Sequence, residues 1–130
     1  NYAANGLALD GHWFIASDVI DYYRRAERQA RSFDLIVLDA PTFGRVKETG
    51  RVFSLKDDLD RMLIGAIPLL RPGGRLLLAI NHRQTSLERL QAALERAATG
   101  RRVFFEDVPS LAIDFAGDED FAKTVIARIE

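Results

Sequence analysis

Cysteine is absent from the 130 residues. Its absence excludes disulfides, cysteine-rich metal sites and a thiolate nucleophile. The only histidines, His12 and His82, each lack a second ligand at metal-binding spacing, so both read as solvated loop residues and no metal is expected. No apolar run approaches the roughly 18 residues of a membrane span, and no charged start followed by an apolar stretch suggests a signal peptide. The expectation is a cytoplasmic protein without membrane contact. Eighteen basic residues face 19 acidic ones for a net charge of -1, which leaves no global basic field for nonspecific nucleic-acid binding. Contact with nucleic acid then requires a local patch or a partner domain. None of the nine glycines stands in a Gly-x-Gly, so a glycine-rich loop that brings backbone close to a nucleotide is missing. At 48% hydrophobic, the chain is long enough for one domain with a real core and too short for two.

What is present alternates between strand and helix, which predicts an α/β fold. Trp13-Phe14-Ile15-Ala16-Ser17 reads as a short apolar strand, after which Asp18 caps a helix whose Val19, Ile20, Tyr23, Ala26 and Ala30 recur at helical spacing. A second strand begins at Phe33. A loop from Gly44 to about Ser54 leads into a helix capped by Ser54, with Leu55, Leu59, Met62, Leu63, Ala66, Ile67 and Leu70 on one face. Pro72-Gly73-Gly74 stops that helix, and Arg75 to Ile80 is a third strand. Thr85-Ser86-Leu87-Glu88 resembles a capping box, opening a helix that buries Leu87, Leu90, Leu94 and Ala97 and runs up to Gly100. Val103 to Val108 and Thr124 to Ile129 are the last strands. About fifteen residues without a clear helix join them, so they are expected to be antiparallel neighbours.

The most informative segment is Phe33-Asp34-Leu35-Ile36-Val37-Leu38-Asp39-Ala40-Pro41-Thr42-Phe43, a buried strand that ends in an acid, a proline and an aromatic. In open α/β sheets ligands sit beyond strand C-termini, which places a polar pocket edge at Asp39 to Phe43. The same residues also describe a plain strand leaving the core through a proline-stiffened turn. Asn81 and Arg83 follow a strand C-terminus on the same edge of the sheet, where they would reach a bound ligand. Arg45, Lys47, Arg51 and Lys56, against Glu48 alone, form a run that usually solvates a face and that beside a base pocket would suit phosphates. Asp57, Asp58 and Asp60 oppose a helix dipole, and Asp118-Glu119-Asp120 reads as an exposed loop.

In this order the elements resemble the second half of a class I S-adenosylmethionine-dependent methyltransferase. Nearly the whole chain is similar to the guanine-N7 half of the bifunctional large-subunit ribosomal RNA methyltransferase K/L family. Five places carry the resemblance: Asn1 with Asn5-Gly6-Leu7; Ile15-Ala16-Ser17-Asp18; Phe33 through Asp39-x-Pro41-Thr42-Phe43; Asn81-His82-Arg83; and Asp114-Phe115. The resemblance implies a Rossmann-like fold with a mostly parallel sheet and an antiparallel C-terminal strand, lacking the first two strands. Residues 1–130 would then be the C-terminal part of a single catalytic domain, inactive in isolation. It implies S-adenosyl-L-methionine as cofactor, with Asp18 bonding the adenine amino group and Asp39 reaching both cofactor and target base. Asp39, Pro41 and Phe43 would form the catalytic turn, and Thr42, Phe43, Arg45, Asn81 and Arg83 would bind substrate, ribosomal RNA, through the full-length protein.

Two departures stand out. The family has proline where this chain has Ala40, which removes one fixed dihedral, and the missing Gly-x-Gly would lie before Asn1. The missing cysteine argues against attack on cytosine C5. A methyltransferase for another RNA position or a protein amide, and a noncatalytic Rossmann-like binding module, are the competing readings. The expected sheet has the Phe33 and Arg75 strands central and parallel, with the Thr124 strand antiparallel beside the C-terminal pair. The Trp13 strand would be repacked next to Phe33 or exchanged with a second molecule in a homodimer.

Overall fold

A computed structural model describes residues 1–45, 50, 52–109, 118 and 121–130. Helix α1 spans Val19–Arg28, and Asp18 caps it as expected, its Oδ1 accepting from the amides of Ile20 at 2.9 Å and Asp21 at 3.3 Å. Tyr23 and Ala26 are the buried members of its stripe. Ala30 lies beyond the helix, exposed and at φ 50, so it does not extend that stripe. Strand β1 (Phe33–Asp39) follows, then a short antiparallel ribbon of β2 (Phe43–Arg45) and β3 (Val52–Ser54) where a loop was expected.

Helix α2 (Leu55–Ala66) has Ser54 at its cap position, but the Ser54 hydroxyl makes no capping bond. Asp58 Oδ2 instead accepts from the Ser54 amide at 3.0 Å, reaching back from one residue beyond the capping-box position. The helix stops earlier than the sequence suggested. Pro68 turns residues 67–69 into a single 3₁₀ turn, and Leu70 already begins strand β4 (Leu70–Ile80). Pro72-Gly73-Gly74 therefore forms a bulge in β4 and not a helix stop. The register jumps from Phe33 opposite Leu70 to Leu35 opposite Arg75, and a Cβ on Gly74 would sit 2.9 Å from the Arg71 carbonyl oxygen. Helix α3 (Leu87–Ala97), capped by Ser86 Oγ, buries Leu90, Ala93 and Leu94 and leaves Leu87 exposed. Strands β5 (Val103–Glu106) and β6 (Lys123–Ile129) are antiparallel neighbours, as expected.

The sheet order is β1-β4-β6-β5, with β1 and β4 parallel and the two C-terminal pairings antiparallel. The Phe33 strand is thus an edge and not central. The Trp13 segment is not a strand and does not pack beside β1. Among the described residues it joins no ladder, and Trp13, Phe14 and Ile15 stay exposed, the Arg31 guanidinium carbon lying 4.2 Å from the centre of the Trp13 ring.

Strand alternation divides the sheet into two unlike faces. Leu76, Leu78 and Ile80 on β4 and Val125, Ala127 and Ile129 on β6 are buried in one core with Leu63 of α2 and Leu90 and Leu94 of α3. On the opposite face Leu35 and Val37 are 54% and 57% exposed. Arg75 and Arg128 lie in the same cross-strand row as Leu35 and Phe104, and Arg75 reaches across β6 to Glu106 at 2.9 Å. Arg101 ties the far end of the core together, its guanidinium donating to the carbonyls of Ile67 at 2.9 Å and Ile129 at 3.1 Å.

Candidate active site

Parallel pairing of β1 and β4 brings their C-termini to one end of the sheet, Asp39 opposite Ala79 and Asn81 two residues further on. The pairing continues one residue past β1, because the Ala40 amide donates to the Ala79 carbonyl at 3.3 Å. A proline at 40 has no N–H to make that bond. Ala40 thus replaces a fixed dihedral with a hydrogen bond, and its small side chain is buried. Pro41 then turns the chain outward, and the Leu55 amide closes the turn by donating to the Thr42 carbonyl at 3.1 Å.

A pocket of about 400 Å³ opens at this turn. Two carboxylates, Asp18 from the start of α1 and Asp39 from the end of β1, line it together with Pro41 and Gly44. Val19, Val37, Phe53 and Met62 supply apolar wall, and Arg45 stands at the rim. Among the described residues neither the Asp39 carboxylate nor the Arg45 guanidinium has a hydrogen-bond or ion-pair partner, so both are available to a ligand. Asp18 spends one carboxylate oxygen on the α1 cap. Helix cap and pocket wall are here one residue.

The remaining candidates among the described residues do not line this pocket. Thr42 and Phe43 are exposed on the turn and on β2, Phe43 at 65%, which removes the reading of Phe43 as a core residue. Asn81 is exposed just beyond β4. Arg83 is engaged with Asp118, Nη2 to Oδ2 at 2.7 Å, and lies over the Phe121 ring. His82 is not simply solvated: its Nδ1 is 2.7 Å from Oγ1 of Thr85, a buried hydroxyl, and the Thr85 amide donates to the His82 carbonyl at 3.1 Å. That turn holds the segment carrying Asn81 and Arg83. His12 packs edge-on against Tyr2. Lys47, Glu48, Arg51, Asp114, Phe115, Glu119 and Asp120 lie outside the described residues. Among those that are described, no group of acids and histidines is placed to hold a metal ion. Among the described residues no helix is long and apolar enough to cross a membrane.

Phe53 and Met62 are pocket residues that the sequence did not reveal. Their part depends on the β2–β3 ribbon folding back over the turn, and nothing in their spacing announces it.

No family model matches the chain. Individual relatives do. The large-subunit ribosomal RNA methyltransferase K/L of Shewanella pealeana is 34% identical over 115 residues, 88% of this chain and 15% of that protein. Ribosomal RNA large subunit methyltransferase K of Neisseria meningitidis is 32% identical over 90 residues, 69% of this chain and 25% of that one. The chain belongs to the ribosomal RNA large-subunit methyltransferase K/L family. It spans about a seventh of the length of the K/L relative from Shewanella.

Solved structures agree on the Rossmann-like fold of the family. SMU.776, described as a methyltransferase and solved with SAH, superposes with a TM-score of 0.86 at 24% identity, over 98% of this chain and 34% of its own. The SAM-dependent methyltransferase from Agrobacterium tumefaciens gives 0.70 at 22% identity, over 99% of this chain and 43% of its own.

Proposed function

We propose that the chain is the C-terminal part of a class I methyltransferase catalytic domain, cytoplasmic in the intact enzyme, which methylates large-subunit ribosomal RNA at guanine N7. The observation that carries this is the joint placement of Asp18 and Asp39 in one pocket beyond a strand C-terminus, beside the Pro41 turn. An open cleft with apolar walls and two carboxylates suits flat heterocycles whose amino edges need acceptors. S-adenosyl-L-methionine fits the Asp18 side through its adenine, and when bound it supplies an electrophilic methyl group. The remainder of its site needs a glycine-rich loop, which this chain does not contain.

Asp39, with no partner among the described residues, accepts from N1–H or the exocyclic amine of a guanine and so orients the ring. Guanine N7 is an acceptor without a hydrogen, so no general base is required. The rate then rests on holding N7 in line with the methyl group. Phe43, exposed beside the pocket, offers a surface on which a base taken out of its helix can stack. Arg45 at the rim and Asn81 beyond β4 are placed for phosphate and base edges of the RNA.

The test is Asp39→Ala in the full-length enzyme. Methyl incorporation into unmodified large-subunit RNA should fall by two or more orders of magnitude, on the scale of lost positioning, while calorimetric affinity for S-adenosyl-L-methionine changes little. Incorporation at the parental rate would make Asp39 structural. Mapping of the product to a base atom other than N7 would retain the enzyme and change its target.

A further inference from the structure

The loop between β4 and α3 closes on itself through His82 and Thr85. The Thr85 amide donates to the His82 carbonyl at 3.1 Å, and Thr85 Oγ1 lies 2.7 Å from Nδ1 of the His82 ring. Thr85 is 3% exposed, and the next residue, Ser86, caps α3, whose Leu90 and Leu94 are in the core. Backbone and side chain of His82 are therefore both tied to a rigid element, although the residue stands just beyond the end of β4.

The contact also fixes which nitrogen of the neutral ring carries the hydrogen. Among the described residues Nδ1 is the one side-chain partner of the Thr85 hydroxyl. A buried hydroxyl that only accepted would leave its own hydrogen unpaired, which is costly, so Oγ1–H donates to Nδ1. The ring hydrogen then sits on Nε2. Among the described residues the side-chain atoms buried without a partner belong to Tyr23 and Arg25, so Nε2, which has no partner either, is open to solvent. His82 thus holds out one oriented N–H, with the exposed Asn81 beside it. At most about 10 Å of chain separates His82 from Ala79, the residue opposite Asp39 in the β1–β4 register. A nucleotide whose base is held at Asp39 brings its own phosphate within that span, and phosphate oxygens take most of the hydrogen bonds by which proteins position a nucleic acid.

We propose that His82 Nε2–H donates to a phosphate oxygen of the nucleotide being methylated, and that Thr85 is a positioning residue that sets the tautomer and the aim of the ring. This rests on the RNA methyltransferase reading and adds to the Asp18–Asp39 pocket a contact with the RNA backbone. Such a contact is the same for any base sequence. His82 therefore contributes affinity and register, and recognition of the base stays with Asp39.

The experiment uses the full-length enzyme and a fluorescently labelled, unmodified fragment of large-subunit RNA, with KM and kcat for methyl transfer measured alongside binding. His82→Leu should weaken RNA binding and raise KM for RNA about tenfold, the scale of one hydrogen bond to a charged group, with kcat and affinity for S-adenosyl-L-methionine little changed. Thr85→Val, which removes the hydroxyl and keeps the shape, should act in the same direction by about threefold, and Thr85→Ser should restore parental binding. Because Thr85 acts through the ring, His82→Leu combined with Thr85→Val should bind no more weakly than His82→Leu alone. Parental RNA binding by His82→Leu, or additive losses in the double variant, would overturn the proposal, while methylation by the parental enzyme keeps the methyltransferase reading. A parental enzyme that neither binds nor methylates the RNA overturns both.

Discussion

Tyr23 has a buried hydroxyl with no hydrogen-bond partner among the described residues, and the residue is 6% exposed. Burial pushes its pKa from 10.0 up to about 12. The folded chain therefore holds the phenolic proton more tightly than the unfolded chain does. Tyr23 costs nothing by ionisation below pH 10, and stability falls as pH rises from 10 toward 12, by roughly 2 kcal/mol in all. Tyr23→Phe should be neutral or slightly stabilising at pH 7.5, since it removes an unsatisfied buried group. At pH 11.5 it should be the more stable protein, and urea midpoints of the two at both values check this. Asp18 allows a second separation at the same scale. Asparagine caps a helix as well as aspartate, so Asp18→Asn should keep stability, whereas Asp18→Ala loses about 1 kcal/mol. Both should weaken cofactor binding by the intact enzyme. Full affinity in Asp18→Asn would leave Asp18 as a cap alone.

Helices α1 and α2 meet where Gly65 lets Tyr23 approach. A Cβ at 65 would lie 2.5 Å from the Tyr23 ring. Alanine is the better helix former by about 1 kcal/mol, yet Gly65→Ala should lose 1–3 kcal/mol through overpacking. A raised urea midpoint would show that the two helices yield. At the scale of elements the sequence was readable where one pattern persisted over many residues. Leu63, Leu90 and Leu94 announced buried helix faces, and the alternation in β4 and β6 announced strands. It was unreadable where a few residues carry two meanings. Pro72-Gly73-Gly74 suits a helix exit and a bulge equally, and only the parallel partner β1 decides. Three residues each in β2 and β3 are too few to show a period. Trp13 to Ser17 has strand composition, but composition alone cannot provide a neighbour. The polar end of β1 was visible from Asp39 and Pro41 themselves, while Phe53 and Met62 became pocket walls only through tertiary folding.

For the whole molecule, the uneven cover of the sheet has the largest effect. Helices α2 and α3 seal one face, while Leu35 and Val37 remain open on the other, beside the edge of β1 that no strand among the described residues pairs. Exposed apolar edges of this kind invite pairing with another chain. The isolated 130-residue chain should therefore self-associate at micromolar concentration in sedimentation velocity, and Leu35→Lys with Val37→Lys should return it to monomer. A parental chain that stays monomeric at 100 times that concentration would show the face to be harmless. The same chain should bind S-adenosyl-L-methionine weakly or not at all by calorimetry, since it holds only the Asp18 side of the proposed site. Low-micromolar affinity would mean that the cofactor site is misplaced.

The position of β1 at the border of the sheet also has a consequence in time. Along a strand, successive amides point to opposite sides. In β1 one set points to β4 and the other has no strand among the described residues to receive it. Deuterium should therefore enter β1 of the isolated chain in a two-speed pattern that alternates from residue to residue, while residues 75–79 of β4, paired with both β1 and β6, exchange slowly throughout. Where a further strand docks on that border in the intact enzyme, the fast set slows and the alternation disappears. Seven consecutive amides thus act as a clock for completion of the sheet.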